Sequence, residues 1–181
     1  MTKKTSKKST KPRSSPSDKK VDSRSESIDQ SLRDHLLFLL KGGGAHISFD
    51  GATRGWPLKL AAVKIAKFPH TAWTLVEHMR IAQWDIVEFS RSSKHASPKW
   101  PEEYWPETDA PADEKAWTAS MDAFRKDLRA MERLISDHKK NLYARIPWGD
   151  GQTILREALL LADHNSYHLG QLVTLRKGLG I

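Results

Sequence analysis

Two histidines, His164 and His168, stand four residues apart in the stretch LLLADHNSYHLGQLVTLRKG, residues 159–178. The stretch reads as an amphipathic helix, and positions i and i+4 of a helix lie one above the other on the same face. Both imidazoles share a stripe with Leu161, Leu172 and Leu175, the inward-facing stripe of that helix. Two neutral imidazoles converging from such a face can each donate a nitrogen lone pair to a divalent metal ion. They can equally be hydrogen-bonded groups at the edge of a core, and the spacing alone leaves both readings open. A catalytic metal usually takes a third protein ligand and keeps one position open. His78, in LVEHMRIAQWD, lies beside the apolar stripe of another helix and is the candidate for that place, with a surface histidine as the alternative. His35 has no partner at ligand spacing, His46, His70 and His95 fall in loops or at helix entries, and His138 ends a helix; all five are read as non-ligands, His46 and His70 being the nearest to exceptions.

The elements that must position these groups are legible as helices. Ile28, Leu32, Leu36, Leu39 and Leu40 form one stripe, ended by KGGG. A long connection follows, with a short helical turn expected near residues 49–55. The second helix starts after Pro69 with Thr71 as its cap, and buries Leu75, Met79, Ala82, Ile86 and Phe89. Residues 92–113 contain four prolines and no helical period, which makes a long loop. In the third helix Trp117, Met121, Phe124, Leu128, Met131, Ile135 and His138 alternate steps of four and three, the seam of a bundle. The fourth starts near Thr153 and ends at KGLG. No run alternates as a strand, so the expected fold is an all-α four-helix bundle spanning residues 27–181.

The bulk properties narrow the function. The chain has 181 residues and no cysteine, so neither disulfides nor thiolate metal sites are available to it. No apolar run approaches the ~20 residues of a membrane span. A cytoplasmic location and no membrane partner are expected. The net charge is +8, but residues 1–26 carry nine Lys/Arg against three Asp/Glu, so most of the excess belongs to this Lys/Ser-rich segment. It has too little apolar surface to offset the entropy of ordering and reads as a disordered tail. Weak, non-specific contact of the tail with an acidic partner such as nucleic acid is the functional alternative to a plain solubilising segment.

GGGAHISFD, PHTAWTLVEHMRIAQWDIVEFSR and GDGQTILREALLLADHNSYHLGQLVTLRKGLG, in that order and at their spacing, resemble the DinB-like (DinB/YfiT) family of metal-dependent enzymes over about residues 28–181. The resemblance implies an up-down-down-up four-helix bundle, a homodimer, and a metal triad of one histidine from the second helix with an HxxxH pair from the fourth. At matching positions these are His78, His164 and His168. It further implies hydrolysis, or transfer of a low-molecular-weight thiol to an electrophile, on a small-molecule substrate. Three nitrogen ligands suit Zn, Ni or Fe alike. Residue types near the pair name Glu157 and Gln171 as groups that can reach inward to orient the imidazoles. The alternative is a non-enzymatic bundle with a structural metal or none, its basic tail docking on an acidic partner.

Overall fold

The computed structural model describes residues 16–44 and 46–181, with side chains from residue 25 onward. It is all-helical: α1 (Pro16–Leu40), α2 (Phe49–Thr53), α3 (Ala72–Arg91), α4 (Glu114–Ser136) and α5 (Ile154–Gly178), with 3-10 turns at Leu58–Leu60 and Glu102–Tyr104. Among the described residues there is no strand, only an isolated bridge between Arg145 and Thr153. Nor is any helix there long and apolar enough to cross a membrane. The chain divides within α1 into two compact units, residues up to Leu32 and residues from Arg33 to Ile181. The second holds every residue of the candidate site described below.

Helix α3 is the centre of this second unit, packing on both α4 and α5. Its start is set by a reciprocal cap. Thr71 Oγ1 accepts from the Thr74 N–H at 3.1 Å, and Thr74 Oγ1 accepts from the Thr71 N–H at 3.0 Å. Thr153 caps α5 by a one-way bond from the Arg156 N–H at 3.1 Å, and Asp113 caps α4 through the Ala116 N–H at 2.7 Å. Leu75, Val76 and Met79 of α3 meet Trp117 and Phe124 of α4 and Leu169, Leu172 and Leu175 of α5 in one apolar cluster. Phe49 of α2 is stacked on Phe124, with centroids 3.8 Å apart. Because α3 is covered on two sides, it also buries Gln83, which is satisfied inside the fold. Its Nε2 donates to the Phe124 carbonyl and its Oε1 accepts from Asn165 Nδ2 at 3.0 Å.

Several expectations change. The first helix begins at Pro16, inside the segment expected to be a disordered tail, and residues 1–15 of that tail lie outside the described residues. Its expected stripe is only partly buried: Leu36 and Leu40 are inside, whereas Ile28 and Leu39 are exposed. Position 33 takes a buried place instead, and it holds an arginine. Arg33 is 2% exposed. Its guanidinium donates to the carbonyls of Ile135, Asp137 (3.2 Å) and Lys140 (2.7 Å). These are carbonyls at and beyond the C-terminal end of α4, where the helix leaves acceptors without partners. His138, expected within the third helix, lies past its end at Ser136 and is exposed. Phe89 is only partly buried, and the turn expected at residues 49–55 is the helix α2.

Arg33 therefore ties the part of α1 that lies in the second unit, residues 33–40, to the end of α4. Removing it strands the buried Ile135 carbonyl, so Arg33→Ala should lower the free energy of unfolding in urea by about 3 kcal/mol. Arg125→Ala, which breaks the exposed pairs to Asp50 and Asp122, should cost less than about 1 kcal/mol. Equal losses for the two variants would show that the carbonyl contacts of Arg33 contribute no more than a surface ion pair.

Candidate metal centre

Packing α3 against α5 brings the histidine of the first to the pair on the second. His78 lies one turn and a half inside α3 and is 2% exposed, His168 is 6% exposed, and His164 is partly buried. One ring nitrogen from each lies within 4.8 Å of the others. His78 Nε2 and His164 Nε2 are 3.1 Å apart. The three rings face one another with centroids 4.5–4.9 Å apart.

Which nitrogens point inward is decided by what the outer nitrogens touch. Nδ1 of His78 lies 2.8 Å from the main-chain oxygen of Tyr104. A carbonyl only accepts, so Nδ1 carries the hydrogen and Nε2 keeps its lone pair. Nδ1 of His168 lies 2.8 Å from Oε1 of Gln171, three residues on in the same helix, and the same assignment follows. Gln171 thus occupies the orienting place that its spacing suggested. Nδ1 of His164 and Oδ1 of Asn165 are both buried without a partner at hydrogen-bonding geometry.

Burial makes these imidazoles reluctant to charge. It is the largest cause in all three, holding His164 down to about 3, His168 down to about 4, and His78 below its ordinary value. Nearby imidazoles add to the depression: His168 and His78 at His164, His78 and His70 at His168, and His70 at His78. The Asn165 side chain offsets part of it at His164, as Gln171 does at His168 and the Tyr104 carbonyl at His78. At neutral pH the site is therefore three neutral rings, with the Nε2 lone pairs of His78 and His168 left without a hydrogen.

That donor set fits a divalent ion. Two lone pairs 3.1 Å apart repel unless a proton or a cation lies between them. Nitrogens bound tetrahedrally at ~2.0–2.1 Å to one ion sit about 3.3 Å from each other. His78 and His164 are already near that separation.

The remaining histidines are elsewhere or in other roles. His35 and His46 are exposed, and His95 is paired with Asp85 at 2.7 Å. His70 is closer than its loop position suggested. Its ring stacks on Trp105 at 4.5 Å, and Trp105 stacks in turn on His78 at 3.9 Å with the planes 2° apart. One indole is thus held between two imidazoles. Glu157 is buried but paired with Arg156, and Glu77 is paired with Arg80. Neither joins the three-histidine group. Asp163 is exposed. Tyr167, 64% exposed, sets the edge of its ring against His168 on the outer flank. Inspection of residue types missed Tyr104 and Trp105 as parts of the centre. The available signal was the aromatic run WPEEYW inside a proline-rich loop.

No protein-family model, curated protein or solved structure matches the chain.

The depressed imidazoles make a pH prediction for metal-free protein. Above the ordinary histidine value of ~6.5 both folded and unfolded states are neutral at these positions, and they contribute no pH dependence. As pH falls below it, the unfolded chain takes up protons that the folded chain does not accept until about 4 at His168 and about 3 at His164. Stability should therefore fall through this window and level off beneath it. Unfolding free energies measured in chelator from pH 7 to 4 should decline more steeply for wild type than for His164→Asn. Parallel curves would mean that His164 titrates alike in both states.

Proposed function

We propose that the protein is a divalent-metal-dependent enzyme built as a DinB-like four-helix bundle, using His78, His164 and His168 as ligands with a further coordination position for a small-molecule substrate. The observation that carries this reading is the convergence of three uncharged imidazoles, two of them with Nδ1 committed to an oxygen acceptor. An ion held by three neutral ligands keeps its full +2 charge, so it can acidify a water molecule for hydrolysis or receive a low-molecular-weight thiolate for transfer to an electrophile. The chain's own residues do the remainder. α3 and α5 hold the rings in register. Tyr104 and Gln171 hold the tautomers, and the Trp105 indole keeps water from one face of His78. Zn, Ni and Fe are all compatible with three nitrogens. A homodimer belongs to the same reading, and the exposed Trp100 (69%) and Trp148 (41%) supply apolar surface for it. Light scattering at micromolar concentration should give twice the chain mass of 20.6 kDa.

Three ligands to one ion act as a unit. Elemental analysis of protein purified without a metal-affinity tag should find a divalent metal in wild type and in His35→Ala and His138→Ala, and little in His78→Ala, His164→Ala or His168→Ala. A second substitution within the triad should cost little more. Metal at a hundredfold excess over its dissociation constant should add about 2.7 kcal/mol to wild-type stability. Equal metal content in all five single variants would make the three histidines hydrogen-bonded core residues and leave the non-enzymatic bundle as the better reading.

A further inference from the structure

Asp85 is a buried carboxylate, 9% exposed, and it is not one of the three grouped metal-site residues. A charge in such a place is costly unless its oxygens are used. Both are. Oδ1 lies 2.7 Å from His95 Nε2, and Oδ2 accepts the Tyr104 phenol hydrogen at 2.6 Å. The His95 ring is in turn wedged edge-on against Trp84, with centroids 4.9 Å apart. Burial first, and then Asp85, raise the phenol pKa well above its ordinary value, so Tyr104 stays a donor.

Tyr104 is also the residue whose main-chain oxygen meets Nδ1 of His78 at 2.8 Å, and it immediately precedes the Trp105 that lies flat on the His78 ring. Asp85 follows His78 by seven residues on α3. Two helical turns separate them, about 10.5 Å along the axis and on one face. One loop residue is thus attached to a single rigid helix at two points, by its hydroxyl at Asp85 and by its carbonyl at His78. Residues 92–113, between α3 and α4, carry four prolines. A carbonyl in such a segment can orient an imidazole only as well as the segment is held.

We infer that Tyr104 is a positioning residue of the metal centre: Asp85, itself held by His95, anchors its phenol so that its carbonyl stays on Nδ1 of His78 and Trp105 stays on the ring. This inference rests on the metal-centre reading above. Partners of ligand imidazoles outside the coordination sphere typically govern affinity by 10- to 100-fold. Here the partner is a main-chain atom, which no substitution can delete, so control of the site passes to the side chain that anchors it.

The test uses the full chain, stripped of metal and titrated with Zn(II) against a chromophoric chelator, with the Co(II) visible spectrum recorded in parallel. Tyr104→Phe keeps the carbonyl and the ring and loses only the anchor. It should weaken Zn(II) binding by about 10- to 100-fold and alter the Co(II) spectrum. Asp85→Asn, which still offers an oxygen to the phenol, should stay closer to wild type than Asp85→Ala. Tyr104→Phe added to Asp85→Ala should weaken binding no further, because both remove one interaction. Lys64→Ala cuts another tie to the same loop, the exposed 2.7 Å pair with Asp109, and should bind as wild type does. Wild-type affinity and spectrum in Tyr104→Phe, or an equal loss in Lys64→Ala, would overturn the inference. Where wild type binds Zn(II) and His78→Ala does not, either of those results removes the anchor alone. If wild type binds no Zn(II), both the anchor and the metal-centre reading fall.

Discussion

Three imidazoles buried against one another between α3 and α5 impose the condition that the neighbourhood has to meet. A histidine taken out of water resists protonation, and a neighbouring imidazole able to charge makes it resist further. The rings are stable there only as neutral bases, and a neutral imidazole still has one N–H that needs an acceptor and one lone pair that needs a donor or a cation. Gln171 and the Tyr104 carbonyl meet the first need for His168 and His78. The lone pairs are left facing inward. The polarity of the site thus follows from where the acceptors are placed around its rim.

The position of α3 follows the same logic at larger scale. Packed on both α4 and α5, it has little surface to spare for solvent, yet it carries His78, Gln83 and Asp85 among its buried residues. Each is paired away from its own helix: His78 with the loop, Gln83 with the Phe124 carbonyl and Asn165, Asp85 with His95 and Tyr104. An apolar α3 would pack as well or better. The buried polar groups instead specify how α3, α5 and the proline-rich loop sit against one another, because each pair is satisfied in one arrangement and stranded in others.

Much of this was legible as pattern. The HxxxH pair needs only a helix to converge, and the apolar stripe of α5 shows which way it faces. The start of α3 at Thr71 and of α5 at Thr153 follows from capping chemistry local to a few residues. His78 was legible only as a position on a face. The burial of Arg33 was not legible at all, since an arginine in an otherwise apolar stripe is ordinarily a solvated one. It goes inside because α4 ends nearby with carbonyls to satisfy, a fact about another helix 102 residues away.

Residue order alone therefore established that the chain is helical, most of the inward faces of α3, α4 and α5, and the shared face of His164 and His168, because all of these depend on periodicities of three to seven residues along one chain. It could not establish that His78 meets that pair, that Trp105 is held between His70 and His78, or that a tyrosine carbonyl selects a tautomer. Those depend on which helices pack together and on where a loop without a period comes to rest. A main-chain oxygen has no residue type by which to recognise it in a sequence. Its role exists only once Asp85, seven residues beyond His78 on the same helix, has taken hold of the phenol beside it.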